Sequence, residues 1–510
     1  MPWLTVLGAA PIVGAVLVAL LPRRAREDLP KIVALAVSVA VLGLTVALAV
    51  QYDTGGGYQF TEQHEWISAF GAHYALGLDG IGLLMVVLTA VLTPVVILAS
   101  WYDAEGGRWS TNAFFAWVLL LEGLSIGVFA ATDVFLFYVL FEATLVPIYF
   151  LIGGYGGVRR SYAAVKFLIF SLFGGLLMLA SVVGLYVVSA DNETGPTYLL
   201  SELSGLSMDE TTGRWLFLGF FIAFAIKAPM WPVHTWLPDA ASEGTPGTSV
   251  MLVSVLDKIG TFGMLRFCLG IFPEASQWAT PVVITLAVIS VLYGALLAIG
   301  QNDMRRLIAY TSVSHFGFIV LGIFVFNSQS HAGAVLYMFN HGLATGALFL
   351  VTGFLISRRG SKMISDFGGV ESVAPVLAGA FLVAGLASLS LPGLAPFVSE
   401  FLVLAGTFSE SIVTAVIAAF GIILAALYIL IMYQRTMTGP LRPGLEATRD
   451  LNLRESVALA PVLALIVVLG LFPKPALDVI NPGVAATLEH VGETDPEPTV
   501  PAEAAEGAQE

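Results

Sequence analysis

The stretch Phe224–Ala240, FAIKAPMWPVHTWLPDA, sets a lysine at the end of an apolar run and follows it with Pro229, Pro232 and Pro238. Lys227 comes after the apolar residues that start at Trp215, and at ~1.5 Å of rise per residue that places it near the middle of a bilayer. Proline removes a backbone donor and clashes with the preceding turn, so a helix here stops beside the charge. An ionisable group at that depth costs at least ~2.5–3.5 kcal/mol on insertion scales. The charge and the break together therefore call for a reason.

The rest of the chain agrees that this is a membrane segment. Of 510 residues, 57% are hydrophobic and 11% charged, with a mean hydropathy of +0.88; a soluble domain carries roughly 25% charged residues. Apolar runs of about 20 residues, long enough for a bilayer core, recur from end to end. The fold expected is an all-α integral membrane protein without a large soluble domain. About 14 spans start near residues 3, 31, 76, 112, 133, 163, 214, 248, 279, 304, 331, 374, 411 and 455. The first run, Leu4 to Leu21, is read as a span and not a cleaved leader, because positive charge follows it and no small-residue cleavage site stands out.

Loop charge gives orientation. Arg23, Arg24, Arg26 and Lys31 follow span one, Arg159 and Arg160 span five, and Arg305 and Arg306 span nine. Arg358, Arg359 and Lys362 follow span eleven, and Arg435, Arg442 and Arg449 span thirteen. All these loops follow odd-numbered spans and so share one side, the cytoplasm by the positive-inside rule. The expected location is the cell membrane, with both termini and the acidic loops Asp53–Glu65 and Asp191–Glu210 outside. The net charge is −14, and the tail from Glu489 to Glu510 has acidic residues but no Lys or Arg; it reads as solvated and disordered. Only six of the 22 basic residues are lysines, which with the acid excess fits a salt-loving source.

Much chemistry is excluded. Cys268 is the single cysteine, so there is no disulfide and no cysteine cluster for zinc or iron–sulfur. The seven histidines show no metal spacing. GGYGG at 153–157 lacks a following GK[ST] and a preceding strand; it reads as a glycine turn before Arg159. No nucleotide or flavin site and no nucleic-acid interface emerges. No cofactor is expected in this chain.

Ionisable residues inside apolar segments remain. Glu142 stands in FLFYVLFEATLVPIYF, Lys166 in SYAAVKFLIFSLFG, Lys258 in MLVSVLDKIGTFGMLRF and Glu400 in LPGLAPFVSEF beside Pro392 and Pro396. Lysine, unlike arginine, releases its proton when desolvated, so lysine at these sites in an arginine-rich chain points to proton exchange. A Glu and a Lys at ~4 Å interact by roughly 4 kcal/mol at an effective dielectric of ~20. Moving Glu142 toward or away from Lys227 would hold or release the lysine's proton. His315 in YTSVSHFGF and His341 in YMFNHGLATGALF suit a relay or a purely structural role, and Ser312, Ser314 and Thr345 stand nearby to hold water. Glu122, in LLLEGLSIGVF, is a second carboxylate near Glu142 or a helix-packing group. His234 reads as a loop organiser, and Arg266 as a snorkelling side chain.

Lys227 and Glu400 each adjoin a proline break, five spans apart, in helices running in opposite directions; this is the mark of an inverted transporter repeat. Spans four to eight and nine to thirteen form the two halves. The expected divisions are 1–110 for spans one to three, 111–272 and 273–436 for the five-helix repeats, 437–484 for span fourteen and 485–510 for the tail.

The stretch AIKAPMWPVHTWLPDAASEGTPGTSVMLVSVLDKIGTFGMLRF, with GLDGIGLLMV, FYVLFEATLVPIYFLIG, QNDMRRLIAYTSVSHFGF and NHGLATGALFLVTG, resembles the antiporter-like membrane subunits of respiratory complex I, over spans three to thirteen. The resemblance implies fourteen helices with inverted five-helix repeats and broken helices seven and twelve. It implies that Glu142, Lys227 and Lys258 are proton-pathway residues and that His315 and His341 belong to a central hydrophilic axis. Glu400, in FVSEFLVLAGTF, stands where most branches of the family have lysine and one has glutamate. The expected function is proton translocation coupled to quinone reduction. Quinone, iron–sulfur and flavin or other donor sites would lie in partner subunits, and the partners implied are neighbouring complex I membrane subunits of the L, N and K kinds, the lipid bilayer and buried water. Two alternatives stay open: a cation/proton antiporter subunit of Mrp type, and a membrane scaffold whose buried charges only tie helices together.

Overall fold

The computed structural model describes residues 2–22, 27–190 and 195–495. Arg23, Arg24 and Arg26, the start of the acidic loop at Asp191 and the acidic tail from residue 496 onward lie outside the described residues.

Most apolar runs open on a capping side chain. Asp79, Ser110, Asp133, Asp209, Asn327 and Ser411 each accept a backbone N–H from the first turn of the helix that follows. Asn452 and Glu455 cap another helix reciprocally. These caps satisfy donors that no helical carbonyl reaches, and they fix where each helix starts. At Asp209, exposed to solvent, the Thr212 and Thr211 hydrogen bonds hold the carboxyl below its ordinary range.

The helices, in chain order, are α1 (Trp3–Leu20), α2 (Leu29–Gln51), α3 (Gly80–Ala99), α4 (Thr111–Ala130), α5 (Val134–Ala143), α6 (Leu145–Tyr155), α7 (Arg160–Ser189), α8 (Leu200–Leu203), α9 (Glu210–Lys227), α10 (Trp236–Glu243), α11 (Pro246–Val250), α12 (Lys258–Gly263), α13 (Leu269–Ile271), α14 (Pro273–Ile299), α15 (Met304–Phe324), α16 (Ser328–Arg359), α17 (Pro375–Ser388), α18 (Ala395–Glu410), α19 (Ile412–Met437), α20 (Leu453–Leu471) and α21 (Lys474–Val491). Wide turns with i→i+5 bonding, Met251–Leu256 and Met264–Cys268, flank α12 and join it to α11 and α13.

Twelve helical segments among the described residues are long and apolar enough to cross a membrane. The two further spans read from the sequence near 214 and 374 are α9, which includes Glu210, Arg214 and Lys227, and the interrupted pair α17 and α18.

Hydrogen bonds sort the loops onto two faces. On one, Gly157 N–H bonds the Glu243 carbonyl (2.8 Å), Met304 N–H the Lys362 carbonyl (3.0 Å) and Gly369 N–H the Thr438 carbonyl (3.0 Å). On the other, Thr132 N–H bonds the Ala75 carbonyl (3.0 Å), Gln277 the Val491 carbonyl (3.0 Å) and Ser328 N–H Asp495 (2.7 Å). The first face carries Arg159, Arg160, Arg305, Arg306 and Lys362, so it is the basic one.

Burial separates the helices by role. The segments 246–271 and 328–359 are wholly enclosed in their apolar stretch, and 304–324 nearly so. By contrast α1, α2, α7 and α19 turn Leu17, Val46, Phe173, Leu176 and Ile423 outward. Lys258, His315 and His341 thus lie on segments shielded from lipid by other helices, whereas Lys166 lies on the outward-facing α7.

Three local features depart from the sequence reading. The segment expected as an external acidic loop is an antiparallel hairpin, β1 (Gln59–Ile67) with β2 (Ala72–Leu78), with register shifts near Thr61 and Trp66. Its first strand holds a run of polar residues, Thr61 to Glu65, and such a run reads as loop. The hairpin is tied to the start of α1, where Glu62 accepts from Leu4 N–H (2.7 Å), Thr5 N–H and the Thr5 hydroxyl; a carboxylate is well placed at a helix N-terminus. The tail expected to be disordered from residue 485 is instead helical to Val491 in α21, whose Ile480, Val484, Leu488 and Val491 are buried. Finally, Gly153 and Gly154 of the glycine-rich stretch belong to α6, and only Gly156 and Gly157 form the turn before Arg159.

Candidate functional site

Helix geometry is interrupted at or near Glu142, Lys227, Lys258 and Glu400. Glu142 ends the first half of span five, where Pro147 cannot donate to the Ala143 carbonyl and the chain turns at Thr144. Lys227 is the last residue of α9. Lys258 starts α12 directly after one of the wide i→i+5 turns, a distortion common at functional sites. Glu400 lies in α18 just after the break at 389–394. Such breaks release backbone polar groups, tolerated at bilayer depth only where protein or a wet cavity satisfies them.

Protein satisfies several of these groups. The Trp236 indole N–H donates to the Ile226 carbonyl (2.9 Å), capping α9 beside Lys227. Trp231 N–H donates to the Ser290 hydroxyl (2.8 Å), and the Trp231–Pro232 peptide bond is cis. At the second break, Asn340 of α16 donates to the Ala395 carbonyl (2.8 Å), and Ser390 sits in the left-handed region at φ 60°. That conformation costs a non-glycine residue about 1–3 kcal/mol. It brings the Ser390 hydroxyl onto Glu400 in a short hydrogen bond.

From Lys258 a row of neighbouring buried polar side chains crosses the second half. The Lys258 ammonium contacts His341 Nδ1 (2.6 Å) and the Val253 carbonyl (2.7 Å). The His341 ring lies 5.2 Å from the His315 ring, centre to centre, and His315 lies 5.8 Å from Tyr337. The Tyr337 hydroxyl donates to Glu400 Oε2 (2.9 Å). All five residues are buried. Both ring nitrogens of His315, and His341 Nε2, have no protein hydrogen-bond partner among the described residues, so the row retains unused donors and acceptors. Its links suit proton transfer: amine, imidazole, phenol and carboxyl.

The first half is arranged differently. Lys227 is enclosed, and its ammonium has no hydrogen-bond acceptor among the described residues; it lies 4.6 Å from the centre of the Phe141 ring. Glu142 makes no ion pair with it within 4 Å, and Oε1 is buried without a partner. The two charges nevertheless act on each other electrostatically. This is the withdrawn geometry of the pair considered above. The Glu142 carboxylate occupies space left by Gly175 of α7: a Cβ built there would collide with it. Asp257, one residue before Lys258, is also enclosed, and both its oxygens are unpartnered.

The lower-ranked candidates lie elsewhere. Lys166 is paired with Asp239 (2.6 Å), which Arg306 also holds (2.6 Å). This cluster borders a cleft of about 570 Å³ on the basic face, lined in part by Arg159, Glu243, Asp303 and Lys362. Burial opposes ionisation of Asp239, but the Lys166 and Arg306 hydrogen bonds outweigh it and hold the carboxyl below its ordinary range. Glu122 is enclosed in α4, and the residue next to it packs on Gly8 and Pro11 of α1. His234 packs its ring edge-on to Tyr293. Arg266 does not snorkel: it forms a buried pair with Asp79 (2.6 Å) beneath the Tyr58 ring.

Tyr337, Ser390, Asp257 and Gly175 were missed by sequence reasoning. Tyr337 falls four residues before His341, one helical turn on the same face, a spacing that offered a signal. Ser390 and Gly175 offered none. Glu400 is held by hydroxyls on one oxygen, and its role can be tested directly. Glu400→Gln is expected to lower proton translocation well below that of Glu400→Asp, measured side by side in membrane vesicles.

The fold and the buried row define an antiporter-like membrane subunit. Consistent with this, residues 131–427 match the family model described as NADH:quinone oxidoreductase/Mrp antiporter, TM. The chain is 50% identical to NADH-quinone oxidoreductase subunit M of Mycobacterium tuberculosis, over 98% of this chain and 96% of that one. A chain in the structure of respiratory complex I from Thermus thermophilus with bound NADH superimposes with a TM-score of 0.86 at 32% identity, covering 95% of this chain and 99% of that one. A chain of the Mrp complex from Dietzia sp. DQ12-45-1b shares the fold, with a TM-score of 0.84 at 22% identity over 96% and 100% of the two chains. The chain belongs to the NADH-quinone oxidoreductase subunit M family.

Proposed function

We propose that the chain is the proton-translocating subunit M of a complex I-type NADH:quinone oxidoreductase, embedded in the cell membrane with the basic face toward the cytoplasm. The observation that carries this reading is the buried row Lys258, His341, His315, Tyr337, Glu400, hydrogen-bonded at its two ends and linked by ring neighbours at His315, with Lys227 and Glu142 at its Lys258 end. Fourteen spans in two inverted five-helix halves accommodate the two breaks. The chain does no redox chemistry; quinone, iron–sulfur and flavin sites belong to partner subunits, among them its neighbours in the membrane arm.

In this reading protons move along the row as the states of Glu142 and Lys227 alternate. With Glu142 withdrawn from Lys227, as here, the lysine can release its proton; with Glu142 close, the proton is held. The Lys166–Asp239–Arg306 cluster and its cleft lie on the face from which protons enter. An Mrp-type antiporter is the second reading, supported by the shared fold; the 50% identity to a subunit M and the glutamate at 400 favour the first.

The test is Lys227→Ala in the assembled complex. Blue native gels should show unchanged assembly, while NADH-driven proton uptake by inverted membrane vesicles falls strongly. Wild-type uptake in that variant would leave the scaffold reading standing instead.

A further inference from the structure

Asp257 is a carboxylate in the middle of a membrane-embedded helix, and the row described above does not use it. It is fully enclosed, and neither oxygen has a hydrogen-bond partner among the described residues. Leaving a carboxyl unpaired in an apolar interior is costly. A fixed counter-ion would stand against its ammonium, yet no basic side chain lies within 4 Å of Asp257 in any described ion pair.

Its position lies between the two lysines. Gly260 is three residues on, one turn along the same helix face, and that face lies against the end of α9. A Cβ built on Gly260 would come 2.6 Å from both the Ala228 nitrogen and the Phe224 carbonyl, and one on Gly263 would meet the Phe224 ring. Asp257 therefore looks toward the break that follows Lys227. The next residue, Lys258, turns instead to His341 on α16. Adjacent residues of a helix point roughly 100° apart, and here the wide turn precedes them: Asp257 N–H bonds the Leu252 carbonyl (3.1 Å), and the Val253 carbonyl accepts from the Lys258 ammonium. Asp257 acts electrostatically on both Lys227 and Lys258. Lys227 has no acceptor of its own.

We propose that Asp257 relays protons between Lys227 and Lys258, joining the first half of the pathway to the buried row; this rests on the proton-translocating reading above. Lys227 gives a proton to an Asp257 oxygen: an N–H bond breaks and an O–H bond forms, leaving a neutral amine and a carboxylic acid. Asp257 then gives its proton to the neutral Lys258 amine, which restores the carboxylate and leaves an ammonium. No electrons change hands.

The test compares Asp257→Asn and Asp257→Glu in the whole complex, with Lys227→Ala in parallel. Asn keeps the shape and removes the titrating group; Glu keeps the carboxyl. Asp257→Asn is expected to assemble and to lose at least roughly a hundredfold in NADH-driven proton uptake, the low end for a removed acid–base group, while Asp257→Glu retains most of it. If Asp257→Asn pumps like the wild type while Lys227→Ala does not, the relay is wrong and proton translocation stands. If both pump normally, the functional reading itself fails. Should Asp257→Asn not assemble, Asp257→Glu decides: an assembled complex that pumps supports the relay, and one that does not overturns it.

Discussion

Lys258→Met should leave the complex assembled and stop its proton translocation. The Lys258 ammonium is the donor that contacts both His341 Nδ1 (2.6 Å) and the Val253 carbonyl (2.7 Å), and methionine has similar length with no proton to give. The structural cost is modest. His341 loses a donor, a penalty of about 1–3 kcal/mol for a buried polar atom, while the apolar stem still packs in a wholly enclosed segment. Removing an ammonium from this site also relieves its desolvation, so folding is not expected to fail. The functional cost is large, because no titrating side chain then lies between Asp257 and His341. Proton uptake by inverted vesicles should fall at least roughly a hundredfold, the low end for a lost acid–base group. Normal uptake with normal assembly would remove Lys258 from the pathway.

The second large effect is expected at a glycine. Gly175→Ala should impair proton translocation nearly as much as removing the Glu142 carboxyl. In a helix interior, alanine is ordinarily favoured over glycine by about 0.5–1 kcal/mol, so propensity predicts a small gain. The Cβ, however, would occupy the position of the Glu142 carboxylate, which must move away from α7. The displacement changes the distance between Glu142 and Lys227, the variable on which the proposed switch depends. Gly379→Ala in α17 is the control, since nothing lies within 4 Å of its Cβ; it should be neutral or slightly stabilising. Adding Glu142→Asp to Gly175→Ala draws the carboxyl back by one carbon and should recover part of the uptake. If the alanine variant pumps normally, the space at Gly175 has no part in the mechanism.

The positions of the spans were legible because lipid imposes a simple rule: a run of apolar residues long enough to cross, with capping and breaking residues at its ends. The starts read near 3, 112, 133, 304 and 411 fall within a residue of α1, α4, α5, α15 and α19. Proline next to Lys227 and Glu400 marked both breaks, because proline's missing donor acts locally. The hairpin at 59–78 escaped because its first strand carries the polar run Thr61 to Glu65 in place of an alternating pattern, and α21 because its apolar face is narrow and flanked by charge.

The sequence by itself determined which residues bear ionisable groups at bilayer depth, since that follows from counting along an apolar run. Only the tertiary structure decided which of them meet. Lys258 touches His341 across 83 positions of chain, and Tyr337 reaches Glu400 across 63, through helix packing that no local pattern encodes. It also moved Lys166 out of the row to Asp239 at the basic face and brought Gly175 against Glu142. A hydrogen bond needs a few ångströms and a direction, and those are fixed by how one helix lies on another.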